Sequence, residues 1–376
     1  MSGAVRHLYV HLPFCAHRCG YCDFVTVVGR SDQHAAYADA LLTELELERA
    51  LLAPVLETIF IGGGTPTFTS IDALARVLAA LPFAAEITVE ANPETITPAV
   101  TAVLREHGVS RVSLGAQTFN PRLLRVLDRV AEPDTVRRAF YDLRGAGFDN
   151  ISLDLLYGVP GQSAADLDAD LGAALELGPD HISYYELEAK PGTRFTHAHG
   201  AELTRQAEAM ESYFECVVQR LTGAGYRWYE TANFCRAAED VGGRDLRARH
   251  NLGYWLGRDY LGLGIGAVST IDGHRWRNTP RLAAYIAALR RGGRPPRDVE
   301  VLSEPVRRRE RLMLGLRLDE PLALDGLEDV VDPDAVVRMA RLGLAIVAER
   351  GGGARRIALT ARGRLLGGGV TAELVA

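Results

Sequence analysis

Apolar residues along the N-terminal part of the chain fall into two alternating rhythms. Short runs rich in Val, Ile, Leu and Thr, bounded by Gly, Pro or Asn, predict strands at His7–His11, Glu57–Ile61, Glu86–Glu90, Arg111–Gly115, Asn150–Leu155 and His181–Glu186. Between them, apolar positions recur at helical spacing over Asp32–Leu52, Ser70–Leu81, Thr97–His107, Asp134–Ala146 and Ser163–Leu177. In Thr97–His107, for example, Val100, Val103, Leu104 and His107 share one stripe. Strand, helix and parallel strand in repetition is the βαβ pattern. Six such units exceed what a small open sheet needs and fall short of the eight of a complete barrel. The expected fold class is therefore α/β, with a partial (β/α)6 barrel.

Beyond Thr204 the pattern predicts one long helix to about Leu221, then a mixed segment ending in the Gly-rich run Gly262–Gly266. Arg291–Pro296 has linker composition. After it, Val306–Arg317 and Pro333–Leu342 read as helices. Leu344–Ala348 and Arg356–Thr360 read as a hairpin around Gly351–Gly353. The expected division is residues 1–222 as the partial barrel, 223–296 as its extension and linker, and 297–376 as a small winged-helix-like α+β domain. Winged helices often bind DNA, but from Val301 onward 12 Arg face 11 Asp and Glu, a balance of +1. That is no electrostatic footprint for nucleic acid.

Composition narrows the class further. The 376 residues carry a net charge of -6 and 47% hydrophobic residues, which suits a folded domain and argues against disorder or non-specific nucleic-acid binding. No apolar run reaches the ~18 residues of a membrane span, and Met1–Phe14 lacks the pattern of a signal peptide. A cytoplasmic location is expected. Lys190 is the only lysine among 42 basic residues, a bias of codon usage, so single arginines carry little information.

The five cysteines change the picture. Cys15, Cys19 and Cys22 lie within eight residues, and Cys216 and Cys235 stand apart. An odd number so clustered is not a secreted disulfide framework. Cys-x3-Cys-x2-Cys directly after the first strand offers soft thiolate ligands for zinc or an iron–sulfur cluster. Three ligands leave one position open, as catalytic centres do. The alternative is a zinc site completed by His11 or His17. Polar groups recur at the following strand ends: Gly62-Gly-Gly-Thr-Pro-Thr67, Glu90, Gln117 and Asp154. Each alone is compatible with a polar cap on a barrel; their recurrence is what points to a ligand.

These motifs resemble the radical S-adenosylmethionine (SAM) superfamily, whose open cluster iron binds SAM and whose cluster electron cleaves it to a 5′-deoxyadenosyl radical. The resemblance is strongest to the oxygen-independent coproporphyrinogen oxidase group, through Tyr9–Cys15, Phe60–Thr67, Ile87–Pro93, Gly115–Phe119 and Asp154–Gly161. It implies that Cys15, Cys19 and Cys22 hold a [4Fe–4S] cluster, and that Tyr9 and Tyr21 line the SAM site. It places Gly63, Gly64 and Thr65 at the methionine part of SAM. Glu90, Gln117 and Arg129 then serve polar groups of the cofactor, and Asp154 its ribose. Arg129 depends on the register across Arg122, Arg125 and Arg129.

Within that group, the dehydrogenase branch has a fourth cysteine where this chain has Phe24. The haem-chaperone branch has a His-Asn-x-x-Tyr-Trp motif, matched here by His250, Asn251, Tyr254 and Trp255. The resemblance thus implies haem as a further ligand and an acceptor haemoprotein as partner, a membrane respiratory enzyme and a homodimer among the possibilities. From chemistry alone, His250 is either a haem ligand or a residue whose hydrogen bonds order the loop after Asp245. The competing function is radical chemistry on a porphyrinogen, or ring-opening haem degradation.

Overall fold

The computed structural model describes residues 4–188, 194–350 and 354–376. The six expected strands are β1 (His7–Leu12), β2 (Leu56–Gly63), β3 (Ala84–Ala91), β4 (Arg111–Gln117), β5 (Ile151–Tyr157) and β6 (His181–Glu186). They run parallel, side by side, in chain order. Val10, Ile59, Ile61, Val89, Val112, Leu114, Leu153 and Ile182 are buried. Near-continuous apolar runs of this kind mark parallel strands covered on both faces. The crossovers carry α1 (His34–Glu48), α2 (Ile71–Ala80), α3 (Pro98–Glu106), α4 (Pro121–Val126), α5 (Pro133–Gly145) and α6 (Ala164–Leu177). Their starts follow capping chemistry: Thr97 accepts from the Val100 amide, and Ser163 with Asp166 forms a capping box.

The expected single helix from Thr204 to Leu221 is two helices, α7 (Arg194–Gln206) and α8 (Met210–Gly223), joined by a 3-10 turn at Ala207–Ala209. Gln206 Nε2 donates to the carbonyls of Val159 and Gln162, both at 3.0 Å, which ties the break to the loop after β5.

The sheet is wider than the six-strand pattern. After β7 (Tyr226–Glu230), β8 (Asn233–Arg236) and α9 (Arg249–Trp255), β9 (Tyr260–Leu263) joins as a seventh parallel strand beside β1. β10 (Val268–Ile271), β11 (His274–Asn278) and, after α10 (Leu282–Arg290), β12 (Arg297–Val301) extend that edge antiparallel. The result is an open twelve-stranded sheet ordered β12-β11-β10-β9-β1-β2-β3-β4-β5-β6-β8-β7. The Gly-rich run hides β9 because its glycines serve close packing. A Cβ on Gly262 would stand 2.1 Å from the Val268 carbonyl oxygen.

β9 and the chain after it are fastened to α1 by two buried carboxylates, Glu44 and Glu48, the second pairing with Arg294 (2.6 Å) and Arg297 (2.8 Å). Glu44 is fully buried and accepts from the Gly264 amide (2.8 Å), Asn278 Nδ2 (2.7 Å) and Tyr285 Oη (2.6 Å). Arg297 lies at 3.4 Å. Burial holds the Glu44 carboxyl above its ordinary range in spite of these donors.

The C-terminal part contains α11 (Glu304–Gly315), β13 (Leu322–Ala323), α12 (Pro333–Arg341), β14 (Ala345–Arg350), β15 (Ala354–Leu359), α13 (Ala361–Leu365) and α14 (Gly367–Leu374). This is the helix-then-hairpin, winged-helix-like pattern expected; its turn, Gly351–Gly353, lies outside the described residues. It has its own apolar core around Leu312, Leu327, Ala335, Ile357 and Leu374. Arg317 pairs with the buried Glu230 at 2.6 Å, and Arg364 lies over Trp228 at 3.7 Å, clamping this part onto β7.

Candidate cofactor site

The three clustered cysteines sit on a loop opened and closed by a short parallel pairing of Phe14–Cys15 with Val27–Val28. His11 Nε2 donates to the Val25 carbonyl (2.8 Å) and its Nδ1 faces the Tyr9 hydroxyl (3.0 Å). His17 Nε2 donates to the Asp128 carbonyl (2.8 Å). Both histidines that could close a zinc site therefore spend their Nε2 on the backbone, and His11 spends both nitrogens. Cys15, Cys19 and Cys22 are free, half-buried thiols. Cys15 Sγ lies 3.6 Å from Thr65 Oγ1, and Cys19 Sγ accepts from Arg129 Nη1 at 3.6 Å. Among the described residues no three Cys, His, Asp or Glu side chains gather round one point as a single ion requires. Three soft donors spread over one loop, one of them already facing a cation, fit an iron–sulfur cube, which takes one thiolate per corner.

The strand ends converge on this loop. A Cβ on Gly64 would stand 2.4 Å from the Pro13 carbonyl oxygen and 2.9 Å from Cys15 Sγ, so only glycine lets β2 pass so close. Thr65 Oγ1 accepts from Asn92 Nδ2 (2.9 Å), and Asn92 Oδ1 accepts from Arg129 Nη2 (2.9 Å). The same Nη2 donates to the Gly115 carbonyl at 2.9 Å. Arg129 is thus the arginine that reaches the cysteine loop, whereas Arg122 turns to Asp166 and the Gly161 carbonyl. Arg129 Nε is buried with no partner in the protein. Such a donor calls for a ligand acceptor.

Gln117 sits at a bulge in β4 with φ of +66°, a left-handed backbone that a non-glycine residue rarely adopts. Asp170 on α6 holds the next two residues, accepting from Thr118 Oγ1 (2.6 Å) and the Phe119 amide (2.7 Å). Tyr21 packs edge-on against Phe195 and Tyr9 stacks on Phe60.

Two carboxyls lie on the parallel strands β3 and β5. Asp154 accepts from Ser113 Oγ (2.9 and 3.1 Å) and Ser152 Oγ (3.3 Å). Glu90 accepts from the Gly63 amide at 3.1 Å. Burial, then the nearby Asp154 carboxylate, pushes Glu90 up to about 7 from an ordinary 4.5. The folded protein therefore holds this proton where the unfolded chain has released it. Stability from Glu90 is complete below about pH 4.5 and is lost as pH rises through 7, up to about 3 kcal/mol. Denaturation midpoints of the cofactor-free protein should fall over that window, and Glu90→Gln should flatten the slope; an unchanged slope in the variant would place the proton elsewhere.

The His-Asn-x-x-Tyr-Trp residues occupy α9, packed on β2. His250 is buried, with Nδ1 2.8 Å from Thr58 Oγ1 and Nε2 2.9 Å from the Tyr254 hydroxyl. Thr58 Oγ1 also meets His7 Nδ1 at 2.8 Å. Burial drives His250 down to about 3, so the ring is neutral. Asn251 is half-buried. Tyr254 packs edge-on against Tyr260, their ring centres 4.6 Å apart. Trp255 carries Arg317 4.5 Å over its ring, and its indole N–H is buried without a partner. The motif is therefore split: His250 faces the sheet, and the two aromatic residues face a cavity of about 660 Å3 between α9 and α11. A smaller cavity of about 320 Å3, lined by Tyr9, Asp23, Phe24 and Arg277 among others, shares Tyr254 and Tyr260 as its wall. Phe24 is 66% exposed.

Residues 9–173 match the radical SAM superfamily profile. Over its full length the chain is 37% identical to the haem chaperone HemW of Mycobacterium tuberculosis (strain ATCC 25618 / H37Rv), covering 96% of that protein. The HemW of Bacillus subtilis (strain 168) is 36% identical over 83% of each chain. That of Escherichia coli (strain K12) is 36% identical over 87% of this chain and 88% of the relative. The chain belongs to the HemW family. Its fold matches that of the radical SAM enzyme coproporphyrinogen III oxidase (HemN) from Escherichia coli, with a TM-score of 0.80 at 25% identity over 98% of this chain and 90% of that one. Radical SAM proteins work with a [4Fe–4S] cluster and SAM, and the donors around the cysteine loop suit both groups.

Four residues of this HemW-family site were not singled out from the sequence. Asn92 links Thr65 to Arg129, and Asp170 holds the turn after Gln117. Thr58 carries His250. Arg111, fully buried, reaches His181 at 3.3 Å and offsets the burial of Asp154. Only Asn92 lay within a motif already singled out, Ile87–Pro93. The others are joined to their partners by tertiary contacts that no local spacing encodes.

Proposed function

We propose that this chain binds haem and passes it to an acceptor haemoprotein, keeping a [4Fe–4S] cluster and SAM as resident cofactors. The observation that carries this is α9. It places the aromatic pair Tyr254 and Trp255 on the wall of a ligand-sized cavity at the edge of the cluster-bearing sheet. Cys15, Cys19 and Cys22 would hold the cluster. Gly63, Gly64 and Thr65 would meet the methionine part of SAM, and Glu90, Gln117 and Arg129 its polar groups. Asp154 would meet its ribose, with Tyr9 and Tyr21 lining the site. When bound, these groups supply one-electron cleavage chemistry. The protein's own part is to orient them: Asn92 fixes Arg129, and Asp170 fixes the Gln117 turn.

In this reading residues 1–222 carry the cofactors, 223–296 carry the haem motif and 297–376 cover its cavity. The acceptor is a haemoprotein of the cytoplasm or the inner membrane face, a respiratory enzyme among the candidates, and a homodimer is one working form. No described helix is long and apolar enough to cross a membrane.

The complete polar set at the strand ends supports a second reading, turnover of a porphyrinogen. Haem-loaded protein mixed with an apo-haemoprotein should transfer its haem, seen as a shift of the absorbance band to that of the acceptor. Under reducing conditions with SAM it should leave coproporphyrinogen III unchanged. Loss of propionate CO2 in step with 5′-deoxyadenosine would establish the second reading instead.

A further inference from the structure

The cavity between α9 and α11 has two unlike walls. One is aromatic and apolar: Tyr254, Trp255, Tyr260, Leu302 and Leu314. The other is rich in guanidinium groups, and most of these are already neutralised. Arg275 is held by both oxygens of Glu310 (2.8 and 2.7 Å). Arg307 pairs with Glu304, and Arg308 with Glu304 and Asp329. Two are left without a carboxylate among the described residues. Arg258 has no ion pair, and Arg311 meets only the Asp325 carbonyl, at 3.4 Å. Trp255 adds a buried indole N–H with no acceptor. Among the described residues no His, Cys or Met lines this cavity, and the Tyr254 hydroxyl, kept protonated by burial, is engaged with His250. His250, on the same helix as Trp255, has both ring nitrogens engaged, Nδ1 by Thr58 on the sheet and Nε2 by the Tyr254 hydroxyl.

We infer that this cavity seats a flat, apolar macrocycle by its periphery: ring faces against Tyr254 and Trp255, and carboxylates against Arg258 and Arg311. Iron plays no part in the hold. This rests on the haem-binding reading and sharpens it, since recognition then depends on the porphyrin's acid groups and not on its metal. A guanidinium facing a carboxylate makes charge-assisted, two-pronged hydrogen bonds that an ester cannot match. A carrier that leaves the metal free also leaves it open to the ligands of an acceptor.

The test is a binding titration of the full, anaerobically reconstituted chain with three probes: haem, metal-free protoporphyrin IX and the dimethyl ester of protoporphyrin IX. Haem and protoporphyrin IX should bind within about threefold of one another, and the ester about tenfold more weakly. The double variant Arg258→Gln, Arg311→Gln should lose about tenfold for the acids and nothing for the ester. Both arginines are exposed, so the fold should be unaffected. Haem binding a hundredfold tighter than the metal-free ring would overturn the inference in favour of iron ligation. So would acid and ester binding alike with the double variant unchanged. Either result leaves haem binding itself standing. Failure of the wild-type chain to saturate with haem would remove both the inference and the reading beneath it.

Discussion

Replacing Cys15, Cys19 and Cys22 together by alanine should abolish the iron–sulfur chromophore of the reconstituted protein and reduce its bound iron to background. The loss should be all-or-none, because among the described residues no other thiol lies near the loop. His11 has both nitrogens engaged and His17 gives its Nε2 to the Asp128 carbonyl. Cys216 and Cys235 lie elsewhere, on α8 and β8. The thermal midpoint of the metal-free protein should hardly move, since the three thiols are only half-buried and make few contacts. Iron content and absorbance of the triple variant, beside Cys216→Ala as a control, check this. Iron retained in the triple variant would mean that other ligands hold the cluster.

The largest stability effect is expected at Glu44, which has no part in cofactor binding. Glu44→Ala strips the Gly264 amide, the Asn278 amide and the Tyr285 hydroxyl of their shared acceptor, while Arg297 keeps the buried Glu48 carboxylate at 2.8 Å. Leaving a buried donor without an acceptor costs about 1–3 kcal/mol, and three such donors bring the expected loss to about 3–5 kcal/mol. Glu44→Gln keeps an acceptor oxygen and should cost less, about 1–3 kcal/mol. Denaturant midpoints followed by circular dichroism should rank wild type, Gln, then Ala. Hydrogen exchange at Gly264 should speed up most, because that amide marks the strand that Glu44 pins. Equal midpoints for wild type and Glu44→Ala would show that the strand is held by its sheet pairing alone.

What the sequence disclosed follows from where the information lies. β1 to β6 were legible because both of their faces are buried, and burial writes itself as Val, Ile and Leu. The cysteine loop was legible because three ligands of one cluster share eight residues. β9 was not, because its glycines answer to the carbonyl of Val268, a contact made only in the folded sheet. The break between α7 and α8 depends on Gln206 reaching back to Val159 and Gln162. At the site, Thr58 and His250 are 192 residues apart, and their hydrogen bond leaves no trace in local pattern. The same contact changes how the motif is understood. Its four fixed positions suggest one ligand-facing surface, yet the helix turns His250 toward the sheet and Tyr254 and Trp255 toward the cavities.

The central claim is that this chain is a haem carrier built on a radical SAM frame. An equilibrium titration of anaerobically reconstituted protein with haem, followed by the Soret absorbance, tests it most directly. Saturable binding near one haem per chain is the predicted result. Absorbance that rises in proportion to added haem, with no saturation at any protein concentration, would contradict it.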